Sequence, residues 1–150
     1  MVELAYSLAN RRIETNGLLE TARKNKIDIL AFAVLNHGLL SDSSTGTEAS
    51  GRPGFPQEMK DRILSGLREI AAGKHTTVEK LLQAHVWAKH PDMSILIGTT
   101  RKEHLQDSID ALSIDLSAED IDHIESVFPA DMLSGMGMRN FIFRDGKIVR

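Results

Sequence analysis

The segment Ile27-Asp28-Ile29-Leu30-Ala31-Phe32-Ala33 constrains the fold more than any other. Its near-continuous apolar run is the pattern of a parallel strand buried on both faces, not of an antiparallel strand with one face in water. Parallel strands need crossover segments, usually helices, to join them. The flanking sequence supplies both. Val2 to Leu8 is short, apolar and β-compatible, and Ser94-Ile95-Leu96-Ile97 is a third strand candidate.

Helical spacing fills the intervals. Leu18, Leu19 and Ala22 mark one apolar face, with Glu20, Arg23 and Lys24 elsewhere on the wheel. Met59, Ile63, Leu67 and Ile70 mark a second helix. Val78, Leu81, Leu82, His85 and Val86 mark a third, which opens at a capping-box pattern, Thr76-Thr77-Val78-Glu79, and ends before Pro91. Gly98-Thr99-Thr100-Arg101-Lys102-Glu103 turns into a helix bearing Leu105, Ile109 and Leu112. A last helix starts at the cap-like Ser117-Ala118-Glu119-Asp120, with Ile121 and Ile124 inward. Strands alternating with helices argue for an α/β fold on a parallel sheet. Three parallel strands with bare edges are poorly stable and aggregation-prone, so the expected arrangement is incomplete, cut at its start.

Two stretches fall outside this alternation. Residues 36–56 are rich in Gly, Ser, Thr and Pro, as in a lid, a binding loop or a disordered segment. The tail, 141–149, sets Asp145-Gly146 between two β-like arms, a hairpin signal. Composition narrows the function classes. At 150 residues and 41% hydrophobic the chain suits one ordinary domain. A formal net charge of -3 gives no general attraction to nucleic acid or membrane. No apolar run nears the roughly 20 residues of a membrane span, and Met1-Val2-Glu3-Leu4 lacks a signal-peptide pattern. With 0 cysteines there is neither a disulfide framework nor a thiolate zinc site, and a cytoplasmic protein is expected.

Single residues add less. His37, His75, His90 and His123 show no two-ligand helical spacing, so no metal site is expected. His85 reads as a satisfied, half-buried core histidine. Gly135-Met136-Gly137 lacks the third glycine and the helix of a dinucleotide fingerprint. A strand feeding through Gly98-Thr99-Thr100 into a helix N-terminus is, by contrast, a local anion site, with Arg101 and Lys102 adding full charges.

Three longer runs occur in order: Tyr6-Ser7-Leu8-Ala9-Asn10-Arg11-Arg12-Ile13-Glu14 with Gly17-Leu18-Leu19; Ala31-Phe32-Ala33-Val34-Leu35-Asn36-His37-Gly38-Leu39-Leu40-Ser41; and Ile97-Gly98-Thr99-Thr100-Arg101-Lys102-Glu103-His104-Leu105, continuing to Ala111-Leu112. Together they resemble the aldo-keto reductases from their sixth-strand region onward, over most of the chain. The resemblance implies a (β/α)8 TIM barrel that reduces carbonyls with NADPH. Such a barrel takes about 250 residues. Residues 1–128 are then its C-terminal part, about three parallel strands with covering helices, and residues 129–150 a tail.

The resemblance also implies roles. Phe32 falls where the family sets an aromatic ring against the nicotinamide. Leu35, His37, Gly38 and Leu40 fall in the loop that wraps the pyrophosphate, mostly through backbone N–H groups. Gly98, Thr99, Thr100, Arg101 and His104 fall where the adenosine-side phosphate is held, and Asp107 and Ser108 where adenine is bound. NADPH is the implied cofactor and NADH the alternative; Arg101 and Lys102 favour the phosphorylated form by charge. Glu3 stands where the family often has Gln, and Ser108 where it usually has Asn.

The family's proton donor is a Tyr tuned by an Asp, a Lys and a His from earlier strands. A donor of this kind needs hydrogen-bond reach to the carbonyl and a neighbouring cation that lowers its pKa. The chain holds 1 Tyr, and Tyr6 belongs to the first run. No catalytic residue is therefore expected here. The leading expectation is the NADPH-binding side of an aldehyde or ketone reductase, inactive alone and completed by a missing N-terminal half or by a second copy through exposed sheet edges. The alternatives are a non-catalytic nucleotide-binding or self-associating module, or a gene remnant.

Overall fold

A computed structural model describes residues 1–41, 56–129, 142–144 and 147–149. Strand β1 (Val2–Ala5), helix α1 (Leu18–Lys24) and strand β2 (Ile29–Phe32) form one parallel crossover unit. Helices α2 (Gln57–Gly73) and α3 (Val78–Lys89) carry the chain to β3 (Met93–Ile95). Helices α4 (Lys102–Asp110) and α5 (Ala118–Val127) follow. The strands pair in the order β1-β2-β3, all parallel, with Val2 beside Ile29 and Ile29 beside Met93. A separate antiparallel pair, β4 (Ile142–Arg144) and β5 (Lys147–Val149), matches the hairpin expected around Asp145-Gly146; that turn itself lies outside the described residues.

The expectation that β2 is buried on both faces is corrected. Ile29 and Ala31 are buried, whereas Leu30 and Phe32 are only half-buried. The register sets Leu4 and Ile95 beside Ala31 on the covered face, and exposed Glu3 and Ser94 beside Leu30 on the other. Helices cover the first face: Ile29, Ala31 and Met93 pack with Leu19 and Ala22 of α1 and Val86 of α3. The second core lies between helices, where Ile63, Leu67 and Ile70 of α2 meet Leu81 and Leu82 of α3 and Ile124 of α5. A continuous apolar strand thus yields alternating burial because helices cover a single face.

Other expectations shift by a residue or a turn. β1 stops at Ala5, because Ser7 and Asn10 pair across a tight reversal that carries Tyr6 and Leu8 into the core as a loop. The cap of α3 is Thr77, one position late: its hydroxyl accepts from Lys80 N–H. Glu79 takes no part in a capping box and accepts instead from the Ser41 hydroxyl at 2.7 Å. At α5 the expected box is complete, Ser117 and Asp120 each accepting from the other's backbone N–H. Leu105, Ile109 and Leu112 mark no buried stripe; they are 48, 52 and 62% exposed. Ser117→Ala removes one half of that box and should cost about 1 kcal/mol, a fall in Tm of about 2–4 °C by differential scanning calorimetry.

Candidate functional site: a cavity at the strand ends and a buried ionic network

A cavity of about 610 Å³ opens where β2 and β3 end. Open parallel sheets place ligands here, since each strand delivers its following loop to the same edge. The ladder runs one step past β3, with Leu96 N–H donating to Ala31 O at 2.8 Å, so Leu96 to Thr99 emerge next to Ala33. Phe32, Leu35, His37 and Gly38 line one wall; Gly98 and Thr99, with His104, Asp107 and Ser108 of α4, line another. Ala33, Asn36 and His37 all have φ near +50°, a conformation that costs a residue with a Cβ of order 1–3 kcal/mol each and gathers at functional sites.

Most of the expected cofactor residues therefore meet in one cavity, but not all. Leu40 is fully buried in the helical core, and Thr100 and Arg101 stay exposed outside the lining. The loop after β2 also differs from a wrapping loop: the N–H groups of Gly38 and Leu40 both donate to Leu35 O. Near α4, Asp107 pairs with Lys80 at 2.8 Å, and the Ser108 hydroxyl donates to His104 O at 2.9 Å. No side chain caps α4, so its first turn keeps the electropositive character read from the sequence. Sequence reasoning missed the α3 wall of Thr77, Glu79 and Gln83. The signal was available, because Glu79 and Gln83 are polar positions four apart and so share one side of the helix.

A second polar cluster lies inside the molecule, on α3's last turns. Tyr6 Oη donates to Glu14; Lys89 Nζ bonds Glu14 at 3.0 Å and also Glu125. His90 Nδ1 faces an Arg23 guanidinium nitrogen at 3.2 Å, a donor only, so Nε2 carries the ring hydrogen and donates toward Glu14 at 3.0 Å. Glu125 gathers His85 at 3.1 Å and Arg11 at 3.5 Å, and Arg11 also donates to Phe128 O. His85 is fully buried, and its Nδ1 finds no partner among the described residues, which corrects the expectation of a satisfied, half-buried histidine.

This cluster holds a Tyr, a Lys and a His together, yet its electrostatics suit structure rather than proton donation. Burial raises the Tyr6 pKa, and the Glu14 hydrogen bond and the charges of Glu14 and Glu125 raise it further against Arg11. A reducing acid needs the opposite shift. Tyr6 is also 0% exposed and outside the cavity lining. Burial likewise pushes Glu14 and Glu125 up, but hydrogen bonds and charge win: His90, Tyr6 and Lys89 hold Glu14 at about 2, and the hydrogen bonds of His85 and Lys89 with the charge of Arg11 hold Glu125 at about 2. Among the described residues no group of acidic or histidine side chains could hold a metal, and no helix is long and apolar enough to cross a membrane.

The geometry agrees with the comparisons. Residues 1–128 match the model of the aldo/keto reductase family. The chain belongs to that family of oxidoreductases. It is 32% identical over 139 residues to the norsolorinic acid reductase of Aspergillus flavus, an alignment covering 92% of this chain and 34% of that protein. Superposed on a thermostable aldo-keto reductase crystallised with the inhibitor epalrestat, it is 27% identical with a TM-score of 0.62, over 83% of this chain and 38% of the other. The fold also matches the glycerol dehydrogenase of Gluconobacter oxydans, with a TM-score of 0.71 at 20% identity, over 83% and 41% of the two chains. The chain thus spans well under half the length of each of these relatives, and its sheet is an arc of their (β/α)8 barrel.

Depressed carboxylate pKa values translate into acid sensitivity. Glu14 and Glu125 contribute stability that is complete above their unfolded value near 4.5 and is lost as pH falls toward 2. A pH series of urea denaturation midpoints should fall steeply between those limits. Glu14→Gln and Glu125→Gln should each be destabilised at pH 7 and lose less on acidification than the native chain; an equally steep loss in both variants would reject the assignment.

Proposed function

We propose that this chain forms the cofactor-binding side of an NADPH-dependent aldehyde or ketone reductase. Residues 1–128 make the C-terminal strands of its barrel and residues 129–150 a tail, in a cytoplasmic protein. The observation that carries the reading is the convergence of the loop after β2 and the turn into α4 on one cavity of about 610 Å³. That volume lies in the range of small-molecule sites, and the lining mixes apolar Leu35, Leu96 and Ile97 with a few polar groups, as such sites do.

When bound, the nicotinamide supplies the hydride. Phe32 flanks the ring and selects the face it presents. Gly98 and Thr99 let the backbone approach the adenosine-side phosphate, beside the uncapped first turn of α4. Arg101 and Lys102 stand beside that turn and favour the phosphorylated cofactor over NADH. His37, Gly38 and Leu40 complete the pyrophosphate loop once Gly38 and Leu40 release Leu35 O. Asp107 and Ser108 face the adenine end. The proton donor belongs to another segment, since Tyr6 is buried in the ionic network.

Isothermal titration of these 150 residues with NADPH should show one site. Arg101→Ala should weaken NADPH by about fivefold and NADH little, as for an exposed phosphate pair of about 1 kcal/mol. Stopped assays with aldehydes should show no NADPH oxidation by the chain alone; turnover that disappears in Phe32→Ala would overturn this division of labour.

A second reading is that the chain associates with itself or with a segment that completes the barrel. It is favoured by the exposure of Leu105, Ile109 and Leu112, one turn or so apart along α4 and the 3-10 turn that follows it. Light scattering after size exclusion should give a dimer or larger mass that Ile109→Lys returns to a monomer; a monomer at all concentrations would leave only completion by a different chain segment.

A further inference from the structure

The α3 wall of the cavity contains a polar group with nothing to do. Gln83 is 4% exposed, lines the cavity, and its Oε1 finds no hydrogen-bond partner among the described residues. An amide oxygen buried without a partner loses its hydration and gains nothing in return, so a group of this kind calls for an explanation. The neighbours do not supply one. Glu79, a turn earlier on α3, accepts from Ser41, and Asp107 across the cavity is paired with Lys80. The Ser108 hydroxyl is turned onto His104 O. The two α4 residues that the family resemblance assigns to adenine are thus already engaged, while the Gln83 amide oxygen has no partner among the described residues.

We propose that Gln83 is a specificity-determining residue of this site, which reads the amino-bearing edge of a purine base. The inference rests on the dinucleotide reading above and deepens it, by moving recognition of the adenine from α4 to α3. A glutamine amide offers one acceptor and one donor side by side. An adenine edge presents the complementary pair, the exocyclic amine and a ring nitrogen, and the two meet in a bidentate contact. The terminal torsion of Gln is broad and roughly two-fold, so with no partner to fix it the amide can present either atom to the cavity. The Lys80–Asp107 ion pair holds α4 against the first turns of α3, which keeps the base between Gln83 and the α4 wall.

The test uses the full chain and two nucleotides, AMP and the same nucleotide with 6-unsubstituted purine in place of adenine. The native chain should bind AMP about tenfold more tightly, the worth of one buried hydrogen bond. Gln83→Leu, similar in volume and without the orphaned amide, should fold with an equal or higher Tm, bind both nucleotides alike, and match the native chain's affinity for nicotinamide mononucleotide. If Gln83→Leu keeps the preference for AMP, or if the native chain shows none while still binding NADPH, Gln83 does not read the base and the cofactor site stands. If the native chain binds neither NADPH nor AMP, the cofactor reading fails and this inference fails with it.

Discussion

Lys89 holds together carboxylates from distant parts of the chain, Glu14 after β1 and Glu125 on α5. Much of the structure depends on that bridge. Glu14 in turn accepts from Tyr6 and His90, and Glu125 from His85 with Arg11 beside it, so one ammonium ties the first loop to the ends of α3 and α5. Removing one partner of such a partly buried cluster costs more than its net stabilisation, because the remaining charges stay partly desolvated. The cluster also fixes where α3 stands. Its C-terminal turns are pinned by the ions, and its N-terminal half, from Thr77 to Gln83, becomes a wall of the cavity.

That division explains why polar residues that look alike do different things. Tyr6, His85, Lys89 and His90 could each be catalytic by residue type, and they sit within one network. Position decides against it: Tyr6, His85 and His90 are buried outside the cavity lining, and burial with neighbouring carboxylates drives the phenol away from acidity. At the other end of α3 the polar groups are fewer, but the cavity gives them something to meet.

Much of this was legible in the sequence. The order of strands and helices follows from the switch between continuous apolar runs and helical spacing, and the capping box at Ser117 and Asp120 follows from residue types alone. The misreadings share a cause. Alternating burial in β2 and the orphaned Nδ1 of His85 both depend on what packs against an element, which its own residues do not encode. The cavity was half legible. Segments contiguous in sequence, such as Phe32 to Gly38 and Gly98 to Ser108, announce themselves; Thr77, Glu79 and Gln83 enter only because a parallel ladder sets α3 beside both.

The half-covered sheet carries the same logic one step further. Glu3, Leu30 and Ser94 share the face that no helix covers among the described residues, and Phe32 follows Leu30 by two residues onto that face at the cavity. In the barrels this chain resembles, the corresponding face of the sheet looks inward and is filled by side chains from the remaining strands. A charged Glu3 beside half-buried Leu30 is tolerable next to water, but inside a closed barrel it would need a hydrogen-bonding partner. The open face is therefore chemically prepared for a polar neighbour as well as for packing. Under the proposed reading, a segment carrying the proton donor would meet Phe32 from that side, so closing the sheet and completing the chemistry would be one event.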